Sequence, residues 1–346
     1  MLLKKLAVIV IAGVVVFMLA SRNNEKNPSN TVILSQAVSE NVAISASIPF
    51  EELTIPYLRN REYSSTLGTL AKVSENSMYT SYLTFYTSDG LRVNGLLTQP
   101  KDEKPENGRP AIVFVHGYIP PAQYQTLVNY SAYVDYLAKN GFVVFKIDLR
   151  GHGKSEGEPG GGYYSSNYVI DVLNAYSALQ NAEFVNGEKI GLWGHSMAGN
   201  VVFRSVVVKQ NIPAAVIWAG AVYTYEDFRE YGINDNSYQP PREDSTGRRK
   251  RNELFETHGQ FDADSGFWKQ VVPVNYLAEV TTAIQLDHAV NDEVVSVEYS
   301  RNLVKILDQA SITHELKEYS SGGHNITGSS FNPAMQNTAE FFKKNL

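Results

Sequence analysis

The chain has no cysteine in its 346 residues. That excludes disulfides, thiolate zinc sites, iron–sulfur clusters and a cysteine nucleophile, and with them the lipid-modified cysteine of a bacterial lipoprotein. There is no surplus of positive charge. The net charge is −6, which points away from a nucleic-acid partner. Internal repeats and low-complexity tracts are missing. So is the Walker spacing of a phosphate-binding loop, since the Gly-rich stretch Asp148-Leu149-Arg150-Gly151-His152-Gly153-Lys154-Ser155 does not match it. The seven histidines are not spaced as metal ligands. These absences lead to an expectation of no cofactor and no metal. What is left is the composition of an ordinary globular protein, with room for one large domain and appendages.

One long hydrophobic run is present. Lys4 and Lys5 precede an unbroken apolar stretch at residues 6–20. At about 1.5 Å per residue it makes roughly 22 Å of helix, short of the roughly 30 Å of a bilayer core. The exit Met18-Leu19-Ala20-Ser21 matches a small-residue cleavage site poorly. Residues 1–20 are therefore expected to be either a signal peptide or a membrane anchor, with the lysines holding the N-terminus in the cytoplasm and the rest outside. Residues 21–78 read as a polar linker followed by an N-terminal extension.

From residue 79 the pattern is regular. β-rich runs at 82–87 and 91–98 flank Ser88-Asp89-Gly90 and read as a hairpin. A short, wholly apolar run lies at 111–115, and similar runs recur at 142–147, 189–193, 214–219, 283–288 and 314–319. Such runs suit strands buried on both faces. Stretches of helical period lie between them at 124–139, 168–180, 199–209, 296–309 and 333–345. Strand–helix alternation predicts an eight-stranded, mostly parallel, doubly wound α/β sheet. Residues 223–280 interrupt the rhythm. They hold Pro240-Pro241, the basic cluster Arg248-Arg249-Lys250-Arg251 and the aromatics Phe255, Phe261, Phe267 and Trp268. They are expected to form a helical lid over the site, with the basic cluster on a solvated face and the aromatics suited to an apolar acyl or aryl group.

The chemistry concentrates after these strands. Gly194-His195-Ser196-Met197-Ala198-Gly199 ends a strand and opens a helix, the setting of a nucleophile elbow. The sharp turn points the serine hydroxyl out of the sheet and presses together the residues two before and two after it, so both must be small. Gly194 and Ala198 are. A serine hydroxyl needs a base. Of the histidines, His116, His152, His195, His258, His288 and His314 sit at strand ends, in turns or in the insertion. His324 lies in the loop Ser321-Gly322-Gly323-His324-Asn325 after the last strand, where a triad histidine belongs. The orienting acid should follow the seventh strand. Asp292 lies just before the next helix and is favoured over Asp287, inside the strand, and over Glu293. The oxyanion requires two donors. The expected pair is the backbone N–H groups of Met197 and of Tyr118, in His116-Gly117-Tyr118, with the role of the Tyr118 phenol left open. Asp148 and Arg150 are expected to brace the loop beside the elbow.

From residue 79 to the C-terminus, these landmarks in this order resemble the α/β-hydrolase superfamily. The nearest likeness is to the catalytic domain of prolyl-oligopeptidase-like serine peptidases and to dienelactone-hydrolase-like esterases. It rests on Thr87-Ser88-Asp89-Gly90 with Gly95 and Pro100, on Val115-His116-Gly117, residues 148–155, 194–199 and 291–295, and on Gly323-His324. The resemblance implies the α/β-hydrolase fold over 79–346 and a serine hydrolase working through an acyl-enzyme on a small ester or short peptide. Ala198 stands where a glycine is commonest. The residues before 79 are too few for the β-propeller of true prolyl oligopeptidases, which favours an esterase over a peptidase. A membrane-tethered binding protein on an inactive scaffold is the non-catalytic alternative, and the intact serine, histidine and aspartate oppose it.

Overall fold

The structure is a computed structural model that describes residues 48–240 and 242–346. The apolar segment at 6–20 lies outside the described residues. Among those described, no helix is long and apolar enough to cross a membrane.

Among the described residues nine strands form one sheet: β1 (Ala71–Glu75), β2 (Tyr79–Ser88), β3 (Leu91–Pro100), β4 (Arg109–Val115), β5 (Val143–Ile147), β6 (Val185–His195), β7 (Ala214–Trp218), β8 (Ala283–Ala289) and β9 (His314–Tyr319). Their order is β1-β2-β3-β5-β4-β6-β7-β8-β9. The three pairings involving β1, β2 and β3 are antiparallel and the other five are parallel. The count corrects the expected eight. The extra strand, β1, is an edge strand exposed along its whole length, with no apolar run to announce it. The six runs from 111 onward and the hairpin fall where the periodicity placed them.

The helices are α1 (Ile55–Asn60), α2 (Ser131–Lys139), α3 (Asn167–Gln180), α4 (Met197–Val208), α5 (Tyr225–Tyr231), α6 (Thr246–His258), α7 (Gly266–Val271), α8 (Glu298–Gln309) and α9 (Phe331–Asn345). Helix α2 begins later than the periodicity suggests, because residues 121–130 form turns that carry the chain back from the end of β4. Successive side chains of a strand point to opposite faces, so the central strands feed two cores. Ala111, Val113 and Val115 of β4 join α3, α4 and α8 on one face. Ile112 and Phe114 join α2 and α9 on the other. There Phe114 stacks on Trp193 with ring centroids 4.0 Å apart. The described part of the N-terminal extension belongs to the first core, through Leu53, Ile55 and Leu58.

A buried ion pair fixes the loop after β5. Asp171 of α3 is fully buried. It accepts hydrogen bonds from Arg150 Nε at 3.0 Å, Arg150 Nη2 at 2.6 Å, the Arg150 backbone N–H at 3.1 Å and Ser88 Oγ at 2.7 Å. Asp148 accepts from Tyr124 Oη at 2.6 Å and from Thr126 Oγ1. The two residues thus brace this loop, as the sequence suggested. Removing one member of a buried pair leaves an uncompensated charge. Asp171→Ala should therefore cost about 3–5 kcal/mol of stability, measured by chemical denaturation. A loss under about 1 kcal/mol would show that the pair is not buried in solution.

Candidate active site

Strand β6 delivers Ser196 and helix α4 leaves from it. Between them Ser196 adopts φ 57° and ψ −120°, a left-handed φ that few L-residues sustain. Its N–H donates to the Trp218 carbonyl at 2.9 Å, which pins the turn to the neighbouring strand. The turn is tight enough to need glycine at 194. A Cβ there would lie 2.7 Å from Val202 Cγ2 and 2.8 Å from the Ala198 carbonyl oxygen. Ala198 itself is tolerated with its side chain fully buried.

Three elements far apart in sequence meet at this turn. His324 Nε2 is 2.8 Å from Ser196 Oγ, and His324 Nδ1 is 2.8 Å from Asp292 Oδ2. Asp292 Oδ1 accepts from the backbone N–H groups of Val294 at 2.9 Å and Val295 at 3.0 Å. His288 Nε2 lies 3.2 Å from Asp292 Oδ2. Burial pushes the Asp292 carboxyl up, but the hydrogen bonds from His288 and His324 outweigh it and hold the group far below the ordinary carboxylate range. A carboxylate with that many donors stays charged and fixes the His324 tautomer that leaves Nε2 facing the serine.

Asp287 is a different carboxylate. It is fully buried, accepts from Tyr319 Oη and Gln285 Nε2 at 2.6 Å each, and makes no contact with His324. Burial pushes it up to about 7. Glu293 touches the site only through its backbone carbonyl, which accepts from Asn234 Nδ2 at 3.3 Å.

The backbone N–H groups of Met197 and Tyr118 donate to no protein acceptor among the described residues. They remain available for an oxyanion. The phenol of Tyr118 is occupied elsewhere: it accepts from the Gln239 N–H at 2.9 Å, and its ring lies 5.4 Å from that of Tyr238. Gln239 belongs to the insertion. That segment is also held at Asn234, whose N–H donates to the Val294 carbonyl at 2.9 Å. Residues 234–239 thus run from the Asp292 loop to the Tyr118 loop. The helical part of the insertion lies apart from them. Phe267 and Trp268 are buried, with Leu254, in its packing against the main core. Phe267 stacks on His258 at 3.6 Å, and His258 reaches the Pro49 carbonyl at 2.8 Å. Of the aromatics expected to suit an acyl group, Phe267 and Trp268 are thus packed inside. The basic cluster sits on α6, where Arg249 and Lys250 are exposed.

A cavity of about 740 Å³ opens between the insertion and α8, lined in part by Asp227, Phe261, Lys269 and Lys305, and neither Ser196 nor His324 borders it. Among the described residues no cluster of three or more His, Cys, Asp or Glu could hold a metal. The remaining histidines stand away from Ser196. His116 is buried against Tyr124 and His152, and His314 caps the Ile312 carbonyl. Two functional neighbours escaped the sequence reading, His288 behind the acid and His195 behind the base. His195 meets the base only through the fold, across 129 positions of chain, whereas His288 stands four residues from Asp292.

This sheet order, with a serine in a strained turn between strand and helix, is that of an α/β hydrolase. Residues 173–345, half of the chain, match the family model described as BAAT / Acyl-CoA thioester hydrolase C terminal, and the chain belongs to that family. Residues 106–232 also match the model described as Serine aminopeptidase, S33. The chain is 33% identical over 130 residues to the thiohydrolase aneE of Aspergillus aculeatus, covering 38% of each chain. It is 24% identical over 252 residues to a Bacillus subtilis protein described as an uncharacterized peptidase, YuxL, covering 70% of this chain and 35% of that one. The alignments thus span little more than a third of these relatives' lengths. Among solved structures, the acetyl xylan esterase from Paenibacillus sp. R4 superposes with a TM-score of 0.58 at 16% identity, over 84% of this chain and 92% of that one. A puromycin-hydrolysing peptidase of Mycobacterium tuberculosis gives 0.59 at 17% identity, over 79% and 40%. At these identities the structural likeness concerns the fold.

The two aspartates give opposite expectations. Asp292→Asn should lower kcat by about ten-thousand-fold through the wrong histidine tautomer. Asp287→Asn should leave turnover within about threefold. Because the folded state raises the Asp287 pKa from its unfolded value near 3.9, the folded protein holds the extra proton between about pH 4 and 7. Its stabilising contribution is complete in acid and is lost as pH rises through 7. Asp287→Asn should therefore raise stability at pH 8 relative to pH 5 by on the order of 1 kcal/mol or more, read from denaturation curves at both pH values. An Asp287→Asn enzyme more crippled than Asp292→Asn would reverse the assignment.

Proposed function

We propose that Ser196 is the nucleophile, His324 the general base, Asp292 the acid that orients it, and the N–H groups of Tyr118 and Met197 the oxyanion hole. The observation that carries this reading is the continuous relay of 2.8 Å hydrogen bonds from Ser196 through His324 to Asp292. In this mechanism Ser196 Oγ attacks the substrate carbonyl carbon and gives its proton to His324 Nε2. The carbonyl electrons move onto oxygen, which the two N–H groups receive. Collapse expels the leaving group, which takes the proton from His324, and an acyl-serine remains. Water then repeats the sequence and releases the acid.

The substrate class that fits best is a carboxylic ester of small or medium acyl length. Support comes from the acetyl xylan esterases, whose chains align with this one over nearly their whole length, whereas the solved peptidases align over well under half of theirs. A thioester is the second reading. It is favoured by the family match over 173–345 and by the thiohydrolase relative. A thiolate leaves without needing the proton that an amine demands, so the same relay serves both.

Ser196→Ala should lower kcat by about a million-fold with the protein still folded. Near-normal turnover would remove Ser196 from the mechanism. The leaving-group question is answered by comparing kcat/KM for p-nitrophenyl acetate and butyrate, an acyl-pantetheine thioester, and alanyl and prolyl p-nitroanilides. The esters or the thioester should exceed the anilides, and a preference for an anilide would replace this reading with a peptidase. Residues 6–20 are proposed to export or tether the enzyme, with the catalytic domain outside the cytoplasm. Cell fractionation should place the full chain in the membrane or exported fraction, and a chain lacking residues 1–30 should be active in the cytosol. Full-length enzyme in the cytosol would refute the proposal.

A further inference from the structure

Behind the proposed triad lies a second hydrogen-bonded chain. The Gly117 N–H donates to Tyr130 Oη at 3.0 Å, Tyr130 Oη lies 2.8 Å from His195 Nδ1, and His195 Nε2 lies 2.8 Å from the backbone carbonyl of His324. A carbonyl only accepts, so His195 Nε2 carries the proton and Nδ1 is the acceptor. The Tyr130 oxygen already accepts from Gly117, so its own hydrogen is free for Nδ1. Every group in the chain has one consistent role.

The imidazole at the centre of this chain is buried and closely fitted. His195 is 2% exposed. Its ring lies 4.7 Å from that of His324. Burial, followed by the charge on His324, pushes His195 down to about 3, so it stays neutral while the base takes up a proton. Tyr130 holds a left-handed backbone at φ 60°, which costs energy for a non-glycine residue, and its ring packs edge-on against both Phe114 and Trp193. Gly117 has no room for a side chain, since a Cβ would lie 2.9 Å from Tyr130 Oη and 3.1 Å from His195 Nδ1. The two ends of the chain are the residue before Tyr118 and the backbone of the base itself.

We propose that His195 and Tyr130 are positioning residues that hold the oxyanion loop and the base loop in register with Ser196. They act through the backbone of Gly117 and His324 and touch no substrate. The proposal rests on the triad reading given above. Without the chain both loops remain folded but drift relative to the nucleophile, and a displacement of about 1 Å at a reacting centre costs on the order of a hundredfold in rate. Substrate affinity, set by other contacts, should not follow.

The test uses the full chain as wild type, Tyr130→Phe, His195→Leu and His195→Gln. The readouts are the second-order rate of Ser196 labelling by a fluorophosphonate, and kcat and KM for p-nitrophenyl acetate per labelled site. Tyr130→Phe keeps the ring packing and His195→Leu removes both hydrogen bonds. Each should lower the labelling rate and kcat by about 10- to 100-fold with KM within about twofold. A glutamine amide reaches where the imidazole Nε2–H did, so His195→Gln should recover to within about fivefold of wild type. Labelling and kcat at wild-type values in Tyr130→Phe would overturn the proposal. So would losses that appear in KM, or losses that His195→Gln shares in full with His195→Leu. A wild-type chain that fails to label would instead overturn the triad reading, and the proposal with it.

Discussion

A single left-handed residue is the constraint on which the rest of the site depends. Holding Ser196 at φ 57° costs energy in any chain, and the fold supplies the compensation around it. The serine N–H is tied to the next strand. The residues at 194 and 198 are too small to resist the turn, and α4, buried along its whole length, continues from it. Once the turn is made, the serine hydroxyl has one direction to point. Every other functional group then has to be brought to that direction by a loop at the same end of the parallel strands, the end where doubly wound sheets place their ligands.

Those loops sort similar side chains into opposite electrostatic roles. Asp287 and Asp292 are five residues apart. The first ends inside a strand with two neutral donors and is pushed up by burial. The second leaves the strand and meets two backbone N–H groups and two imidazoles, so it remains an anion. The histidines divide in the same way. His195 is sealed in and stays neutral, whereas His324 faces the charged Asp292 and an open edge. A relay needs a proton to settle at one place, and the sorting of charge by burial provides it.

The parts legible in the sequence were those with a local signature. Apolar runs gave the buried parallel strands, because a strand covered on both faces leaves no polar alternation. Gly194 and Ala198 gave the elbow, because the turn forbids larger residues there. His324 and Asp292 were legible by position in the order of strands. What escaped the sequence lacked a local cause. Strand β1 is polar and exposed and is a strand only because β2 offers it an edge. Phe267 and Trp268 looked like a substrate surface because aromatic content does not say which side a helix buries. His195 reaches the back of the base, a contact that exists only once the fold brings positions 129 residues apart together.

The insertion shows how one segment links selection to catalysis. Its helices pack beside the sheet, but residues 234–239 are held at one end by the loop that carries the acid and at the other by the phenol of Tyr118. The N–H of that same tyrosine faces the proposed oxyanion position. A group that displaces Tyr238 or Gln239 from Tyr118 therefore disturbs the donor that stabilises the transition state, not merely the rim of a pocket. On the proposed roles, bulk that moves Tyr118 would lower kcat as well as binding.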